Sequence, residues 1–484
     1  MTTRSIRHEH EKNQNNFAIF VTGFSTRLLV VVAIHVTFLA LIVMIDGLNY
    51  SAKVSLFAFL SAMTLWIATK VPAGYVAISL IVFIILMKAA DPELLYHSFG
   101  EKVIWLMLGA FIIGEAVKES GLADRFGQSM MNRAKDKHFV IRSLTYVLCL
   151  SAFFIPSTSG RAALSMPIVK QLGSYFSTKE REVLAILAPV IILMSTSASL
   201  IGAGSHLIGV GFLETTTDES ISFVQWLIWG VPFAAVASFF TMYITKMLLW
   251  PKEQSTQRTT FNKDFIRTKQ SMSKIEKKTM GIIIALIISW MTESFHEYDI
   301  AFVTMIGAIL FMLPKYGVIG WKQGVKSVSW NLILFVAAAT ALGKVLVDSG
   351  VVKWIEKELI GALHLFTDAS EFLIIVLIVL VTVTSHLYIT SHTTRAIVFI
   401  PSLLLFGQMI DANPVAVVFI SLIGINYCVT FPVSSKALLL FYEEDDSRYK
   451  ARNLLKISLV LMPLYMLAII MFYFTYWKWT GLSI

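Results

Sequence analysis

The stretch Ser157-Thr158-Ser159-Gly160-Arg161-Ala162-Ala163-Leu164-Ser165-Met166-Pro167 decides the fold, because the chain says it twice. The second copy is Ser391-His392-Thr393-Thr394-Arg395-Ala396-Ile397-Val398-Phe399-Ile400-Pro401. Each copy sets hydroxyls, an Arg four residues after the leading Ser, a small apolar run and a closing Pro inside a hydrophobic segment. In lipid, such a polar cluster is tolerated only where it lines a cavity or is buried in protein. A doubled cluster reads as the two halves of a binding site built by an internal repeat. Upstream, Glu119-Ser120-Gly121 answers Asp348-Ser349-Gly350, and the offset between those two nearly equals the offset from Ser157 to Ser391. A near-constant offset argues against chance recurrence of a short polar phrase.

Composition gives that repeat its setting. The chain has 484 residues, 56% hydrophobic and 15% charged, with a mean hydropathy of +0.72. A soluble chain carries about 25% charge, so the pattern predicts an all-α, polytopic membrane protein. The net charge of +9 does not point to nucleic acid, because Lys and Arg sit mainly in short connecting loops, where topology places them. Residues 1–26 are polar and basic and the first apolar run is long enough to span, which predicts no cleavable signal. Cys149 and Cys428 lie in apolar segments far apart, with neither metal-ligand spacing nor evidence for a disulfide. No nucleophile–base pair, HExxH or phosphate-binding glycine loop is present, so neither a cofactor nor an enzymatic activity is expected.

Outward from the two phrases, the chain divides into 1–52 (cytoplasmic tail and first span), 53–250 (first repeat), 251–278 (basic cytoplasmic linker) and 279–484 (second repeat). In the first repeat, scaffold spans over about 53–88 and a span at 102–118 precede a re-entrant hairpin at 139–176. A helix at 183–213 follows and loosens at Ser195, Ser197, Ser199, Gly202 and Gly204. A span at 223–249 closes the repeat. The second repeat gives scaffold spans over about 279–314, a span at 329–347, a hairpin at 371–408 and a broken helix at 413–441. Its last span, 454–477, ends in an aromatic belt with Tyr473, Tyr476, Trp477 and Trp479. The total is about 11 transmembrane helices plus two re-entrant hairpins. Basic loops at 118–137 and 251–278 mark the cytoplasmic face, and Glu214, Asp218 and Glu219 the outer one. Counting from a cytoplasmic N-terminus brings the second hairpin in from the opposite face, so the repeats have inverted topology in the cell membrane.

These phrases resemble the divalent anion:sodium symporter family of the ion transporter superfamily. That family carries Ser-Asn-Thr at each hairpin tip, usually continued as Ala-Thr-Ala-Ala and closing on Leu-Pro. The tips here read Ser157-Thr158-Ser159 and Ser391-His392-Thr393, and Gly202-Ala203-Gly204-Ser205-His206-Leu207-Ile208-Gly209 resembles the family's glycine-rich loop. The resemblance in organisation covers about residues 53–477. It implies an elevator-type transport domain that slides against a fixed scaffold in a homodimer. The departures are equally informative. Thr158 and His392 stand where the family has Asn, and Arg161 and Arg395 stand at its usual Thr. The family's Thr-Pro-Pro-Asn element aligns with Val210-Gly211-Phe212-Leu213 and Ser435-Lys436-Ala437-Leu438 and is absent from both. Sodium needs several converging oxygens, so these changes favour fold and transport over sodium coupling.

Each candidate residue has a functional reading and a plainer one. Arg161 and Arg395 place cations near the midplane, where they hold carboxylate, sulfate or phosphate oxygens, or else cap their own broken helices or pair with an acidic side chain. The hydroxyls of Ser157, Thr158, Ser159, Ser391, Thr393 and Thr394 bind substrate or ions, or bond local backbone at a helix start. His392 and His206 either carry a coupling proton or are neutral hydrogen-bonding groups. Gly202, Gly204 and Ser435 belong to the loosened helices as further coupling candidates. Glu115 and Lys344 occupy equivalent repeat positions and are ionisable groups inside spans. They pair with each other, or Glu115 neutralises an Arg. Lys436 adds a third cation to the site or snorkels to the interface.

The reading that joins these residues is a secondary active transporter of small multivalent anions. A C4-dicarboxylate or related polycarboxylate is preferred, moved by sodium-independent exchange or in a proton-linked way. The sequence leaves open sodium-coupled dicarboxylate or sulfate symport, transport of an organic phosphate or lipid-linked anion, and an anion channel on the same scaffold. Expected partners are the small anion, the lipid bilayer and a second copy of the chain, with no nucleic acid.

Overall fold

The computed structural model describes residues 26–69, 71–122, 125, 136–153, 155, 157–173, 175–217, 219–251, 271–351, 353–354, 370–389, 391–442 and 449–484. The polar tail, most of the basic stretches 118–137 and 251–278, and the loop at 443–446 lie outside the described residues.

Among the described residues the ordered elements are helices. The chain opens with α1 (Thr26–Met44), α2 (Tyr50–Ala68), α3 (Ala73–Leu86), α4 (Glu93–Ser98) and α5 (Lys102–Glu119). Next, α6 (Lys137–Leu150) runs into a 3-10 turn at Ser151–Phe153, and α7 (Thr158–Gly173) restarts at the first tip. Helix α8 (Thr178–Met194) breaks into 3-10 turns at Ser195–Ala198 and Leu200–Gly202 before α9 (Gly204–Thr217) and the long α10 (Phe223–Leu249). Then come α11 (Lys274–Met291), α12 (Glu293–His296), α13 (Ile300–Phe311), α14 (Trp321–Ser327) and α15 (Trp330–Asp348). Helix α16 (Glu371–Thr384) ends in a 3-10 turn at Ser385–Leu387, and α17 (His392–Met409) restarts at the second tip. Finally, α18 (Pro414–Ile425) breaks, and α19 (Lys436–Tyr442) and α20 (Ala451–Phe472) follow.

Four described helical stretches are long and apolar enough to cross a bilayer alone: Thr178–Ala198, Phe223–Leu249, Trp330–Asp348 and Ala451–Thr480. The expectation of about 11 spans therefore rests in part on shorter pieces. Helix α13 has 12 residues, about 18 Å at 1.5 Å per residue against a hydrocarbon core of roughly 30 Å. Polar caps fix where such helices begin: Asp299 accepts from Phe302 N at 2.8 Å, and Asn413 accepts from Val415 N at 2.9 Å with Pro414 as the first helical residue. The short helices α4 and α14 are additions to the sequence reading, because six and seven residues are too few to carry a periodic stripe.

The core sits where the two breaks meet. Residues 183–194 of α8 and 416–425 of α18 are buried on every face, the pattern of helices with no solvent or lipid side. Each helix then stops at a break, and the continuation crosses over. Helix α9 packs against α17, the arm that starts at the second tip, while α19 packs against α7, the arm that starts at the first. This exchange brings two phrases from opposite halves of the chain around one space.

Candidate functional site

The tips are helix N-termini, and their leading serines are spent on capping them. Ser157 Oγ accepts from Gly160 N at 3.2 Å, and Ser391 Oγ accepts from Thr394 N at 3.2 Å. Ser159 Oγ lies 3.1 Å from Ser157 Oγ. Between the tips is a cavity of about 430 Å³ lined by Ser157, Thr158, Ser159, Ser391, His392, Thr393 and Thr394. Gly204 and Ser205 at the start of α9, and Ser435 and Lys436 at the start of α19, complete that wall. Two helix N-termini face the space with backbone N–H groups and positive dipole ends, an arrangement suited to anions. A larger cavity of about 730 Å³ shares Phe111, Ser157, Ser159 and Lys436 with the first and carries Glu115 and Lys118 on its wall. Lys436 is exposed to both and forms no ion pair among the described residues.

The two arginines line neither of these cavities. Arg161 and Arg395 are buried, 1% and 0% exposed, and each turns into the break of its own half. Arg161 donates to Ser195 Oγ at 3.2 Å, to Thr196 Oγ1 at 2.8 Å and to the Gly202 carbonyl at 3.3 Å. Arg395 donates from Nη1 to the Tyr427 carbonyl at 2.9 Å, while its Nε and Nη2 have no acceptor within hydrogen-bond distance among the described residues. Neither forms an ion pair with a carboxylate among the described residues. The first break leaves no room for a larger residue at its glycine: a Cβ on Gly202 would lie 2.3 Å from the Thr196 carbonyl oxygen. Gly204 is different, with 3.7 Å to the nearest side chain, and serves as the first residue of α9 and a wall of the cavity.

His206 is buried and uses both ring nitrogens. Nδ1 lies 3.1 Å from the Ser199 carbonyl oxygen and Nε2 lies 3.0 Å from Asn426 Oδ1. Trp226 covers the ring at a centroid distance of 4.5 Å and donates to the Ser197 carbonyl at 3.0 Å. His206 therefore ties the first break to the second. His392 stands at the cavity, with Nε2 2.8 Å from Cys428 Sγ and Nδ1 without a partner among the described residues.

Among the described residues, Glu115 meets neither Lys344 nor an arginine. Its carboxylate pairs with Lys118 at 3.3 Å and accepts from Gln323 Nε2 at 3.3 Å. Lys344 lines a separate cavity of about 470 Å³ with Asn49, Asp91, His97 and Asp348. The expected pairing fails because equivalent positions on α5 and α15 face different cavities. Asn331 and Ser329, at the start of α15, also line the space between the tips and gave no sequence signal. Asn426, Tyr427 and Cys428 interrupt the apolar run 413–441, a signal by which the second break could have been placed.

Known proteins resemble this chain. The sodium:sulfate symporter transmembrane region, as a family model, matches residues 23–483. A sodium-dependent dicarboxylate transporter, SdcS, of Staphylococcus saprophyticus is 23% identical, covering 84% of this chain and 86% of its own. A citrate/succinate antiporter of Escherichia coli K12 is 22% identical, covering 71% of this chain and 72% of its own. A membrane protein of Cupriavidus necator is 24% identical over 79% of this chain and 76% of its own. Among solved structures, the Alcanivorax borkumensis YdaH transporter superposes with a TM-score of 0.57 at 10% identity, covering 89% of this chain and 99% of its own. That last likeness concerns the fold alone.

Proposed function

The chain belongs to the sodium:sulfate symporter family, and from that premise we propose that it is a secondary transporter exchanging small dicarboxylates or related polycarboxylates without sodium. That it is a multi-pass membrane transporter of anions and not an enzyme follows from the family itself. The finer reading rests on the space between the tips, which offers two helix N-termini, free hydroxyls and the unpaired Lys436 to a dianion. Relatives include both a sodium-dependent dicarboxylate transporter and citrate/succinate and tartrate/succinate antiporters, so the family name does not decide the coupling.

The observation that carries the choice is what Arg161 touches. The first break supplies Ser195 Oγ, Thr196 Oγ1 and the Gly202 carbonyl, the converging oxygens a sodium ion would need. A guanidinium already holds them. Arg395 takes the Tyr427 carbonyl in the second half. These residues do not fit sodium; they fit fixed cations that attract a dianion permanently, since Arg does not deprotonate in proteins. A site that keeps its positive charge when empty resists recrossing the membrane centre, which favours return with a second anion. In this reading the two halves are inverted repeats, the tips ride on a domain moving against a dimeric scaffold, and the N-terminus is cytoplasmic. Glu115, paired with Lys118 at the wall of the larger cavity, is the acid nearest to hand for a proton-linked variant, together with His392.

The test uses purified protein in proteoliposomes with labelled succinate. Preloading with unlabelled succinate should stimulate uptake, and empty vesicles should take up little whatever the sodium gradient. Accumulation in empty vesicles driven by inward sodium at matched pH would return the protein to symport.

A further inference from the structure

We propose that the cleft where α8, α10 and α20 meet is a binding site for an anionic phospholipid, whose phosphodiester sits between Lys179 and Lys450 while its acyl chains follow α10 and α20 into the bilayer. The inference rests on the chain being a membrane protein and not on what it transports. The cleft has a volume of about 490 Å³. Lys179, Glu182, Lys450 and Asn453 give it a polar wall, and Val183, Leu248 and Leu249 an apolar one.

Its depth in the membrane follows from the helices that build it. Three of the four described stretches able to cross a bilayer alone have an end here: Thr178–Ala198 begins, Phe223–Leu249 ends and Ala451–Thr480 begins. A spanning helix passes from hydrocarbon to the polar layer at its ends, so a cleft shared by three such ends lies at headgroup level. Farther into the membrane the same helices leave apolar side chains uncovered. Met247 on α10, and Leu455 and Leu459 on α20, are all exposed, which gives acyl chains a surface to lie against.

Charge selects the ligand. Glu182 is engaged within the protein: its Oε1 accepts from Lys450 N at 3.0 Å and from Asn453 Nδ2 at 2.6 Å. Those two bonds fix the start of α20 on α8, so Lys450 is presented from a settled backbone. Lys179 and Lys450 are exposed, and neither forms an ion pair among the described residues. Two lysines against one glutamate leave the cleft net positive by one charge, which the single charge of a phosphodiester balances. A phosphatidylcholine headgroup is neutral overall and leaves that charge standing. Basic pockets between helices at a membrane surface hold anionic headgroups in this way, with lysine acting on phosphate as a point charge.

The test is thermal unfolding of the purified full chain in neutral detergent, titrated with phosphatidylglycerol, phosphatidylcholine or soluble glycerol phosphate, with bound lipid counted by native mass spectrometry. Phosphatidylglycerol should raise the unfolding temperature and stay bound, and the other two should do neither. One basic charge at a membrane surface is worth about fivefold in affinity. Lys179→Gln and Lys450→Gln should therefore each weaken phosphatidylglycerol binding about fivefold, and the double variant about twenty-five-fold. Glu182→Gln keeps the oxygen that holds α20 and adds to the net positive charge, so it should bind phosphatidylglycerol more tightly. A merely structural role for these residues gives no such gain. Unchanged affinity in the double variant overturns the site, and equal stabilisation by phosphatidylcholine overturns the anionic ligand. Glycerol phosphate that matches the lipid would put a free phosphate ester in the cleft and overturn the lipid. Where the double variant does not fold, Lys450→Gln and Glu182→Gln decide, and shifts in the same direction in both overturn the proposal.

Discussion

His206 and Asn426, 220 residues apart, meet at 3.0 Å between imidazole Nε2 and carboxamide oxygen, and this contact joins the two breaks. Both side chains are buried and Asn426 Nδ2 has no partner among the described residues. A neutral imidazole donating from Nδ1 to Ser199 suits the site better than a third buried cation. Nε2 then accepts from the Asn426 amide, whose O and N are interchangeable in shape.

His206→Ala should therefore strand a buried carboxamide and leave a void beside Trp226. Losing that partner costs roughly 1–3 kcal/mol, visible as a lower unfolding temperature in detergent. Asn426→Ala should cost a similar amount, and the double variant should cost less than the sum of the two, as contacting residues do. Strictly additive losses would mean that the contact carries no energy.

A second prediction concerns acid. Glu276, in the first turn of α11 ahead of its apolar run, accepts from Arg125 at 2.9 Å and from Ser273 N at 2.7 Å. The Arg125 guanidinium, opposed only in part by burial and helped by Ser273, holds its carboxyl below the usual value of 4.5. A depressed acid binds fewer protons folded than unfolded, so it stabilises above the unfolded value and that contribution fades as pH falls through the folded one. Wild type should lose unfolding temperature faster than Glu276→Gln between pH 5 and pH 3, and the two should converge at the acid end. Parallel curves would remove the pair from the account.

The phrases at 157 and 391 were legible because polar groups in an apolar run have few explanations in lipid. The helix break at Ser195 is legible for the same reason, whereas the second break is legible only as lying within 413–441. The direction of Arg161 was not. Sequence places an Arg beside a tip, but whether it faces the cavity or the break depends on which side offers acceptors. Here Ser195, Thr196 and the Gly202 carbonyl lie behind it. Glu115 and Lys344 misled for a related reason: equal repeat positions imply equal surroundings, not mutual contact. Asn331 could not be found at all, since one polar residue at the start of α15 looks like any helix start.

The asymmetry of the arginines gives a third prediction. Arg161→Ala removes a cation from three acceptors and leaves Ser195 and Thr196 buried, whereas Arg395→Ala frees one carbonyl. Hydrogen bonds to a charged group contribute about 1.5–3 kcal/mol each. Both variants should lose exchange, but Arg161→Ala should be markedly the less stable in thermal unfolding. Arg161→Lys should recover part of that stability and little transport, because an ammonium cannot span the same three oxygens. Equal stability of the two Ala variants would contradict the contact pattern.

Lys436 gives the prediction closest to function. It opens α19 at the end of the second break, is exposed to both cavities, and has no ion-pair partner among the described residues. The arginines face away, so on the proposed reading a dianion between the tips would meet Lys436 as the lysine on the wall of that cavity. Lys436→Gln keeps a hydrogen-bonding side chain of similar reach and removes the charge. Loss of a charge-assisted hydrogen bond, about 1.5–3 kcal/mol, corresponds to roughly a ten- to hundredfold rise in KM for succinate. The preference for a dicarboxylate over its monocarboxylate analogue should shrink by the same factor, since the second carboxylate then gains nothing at that position. Unfolding temperature should stay near wild type, because an exposed lysine without a partner holds nothing together. Unchanged KM in a well-folded Lys436→Gln protein would mean that the tips and their helix dipoles bind the anion without this residue.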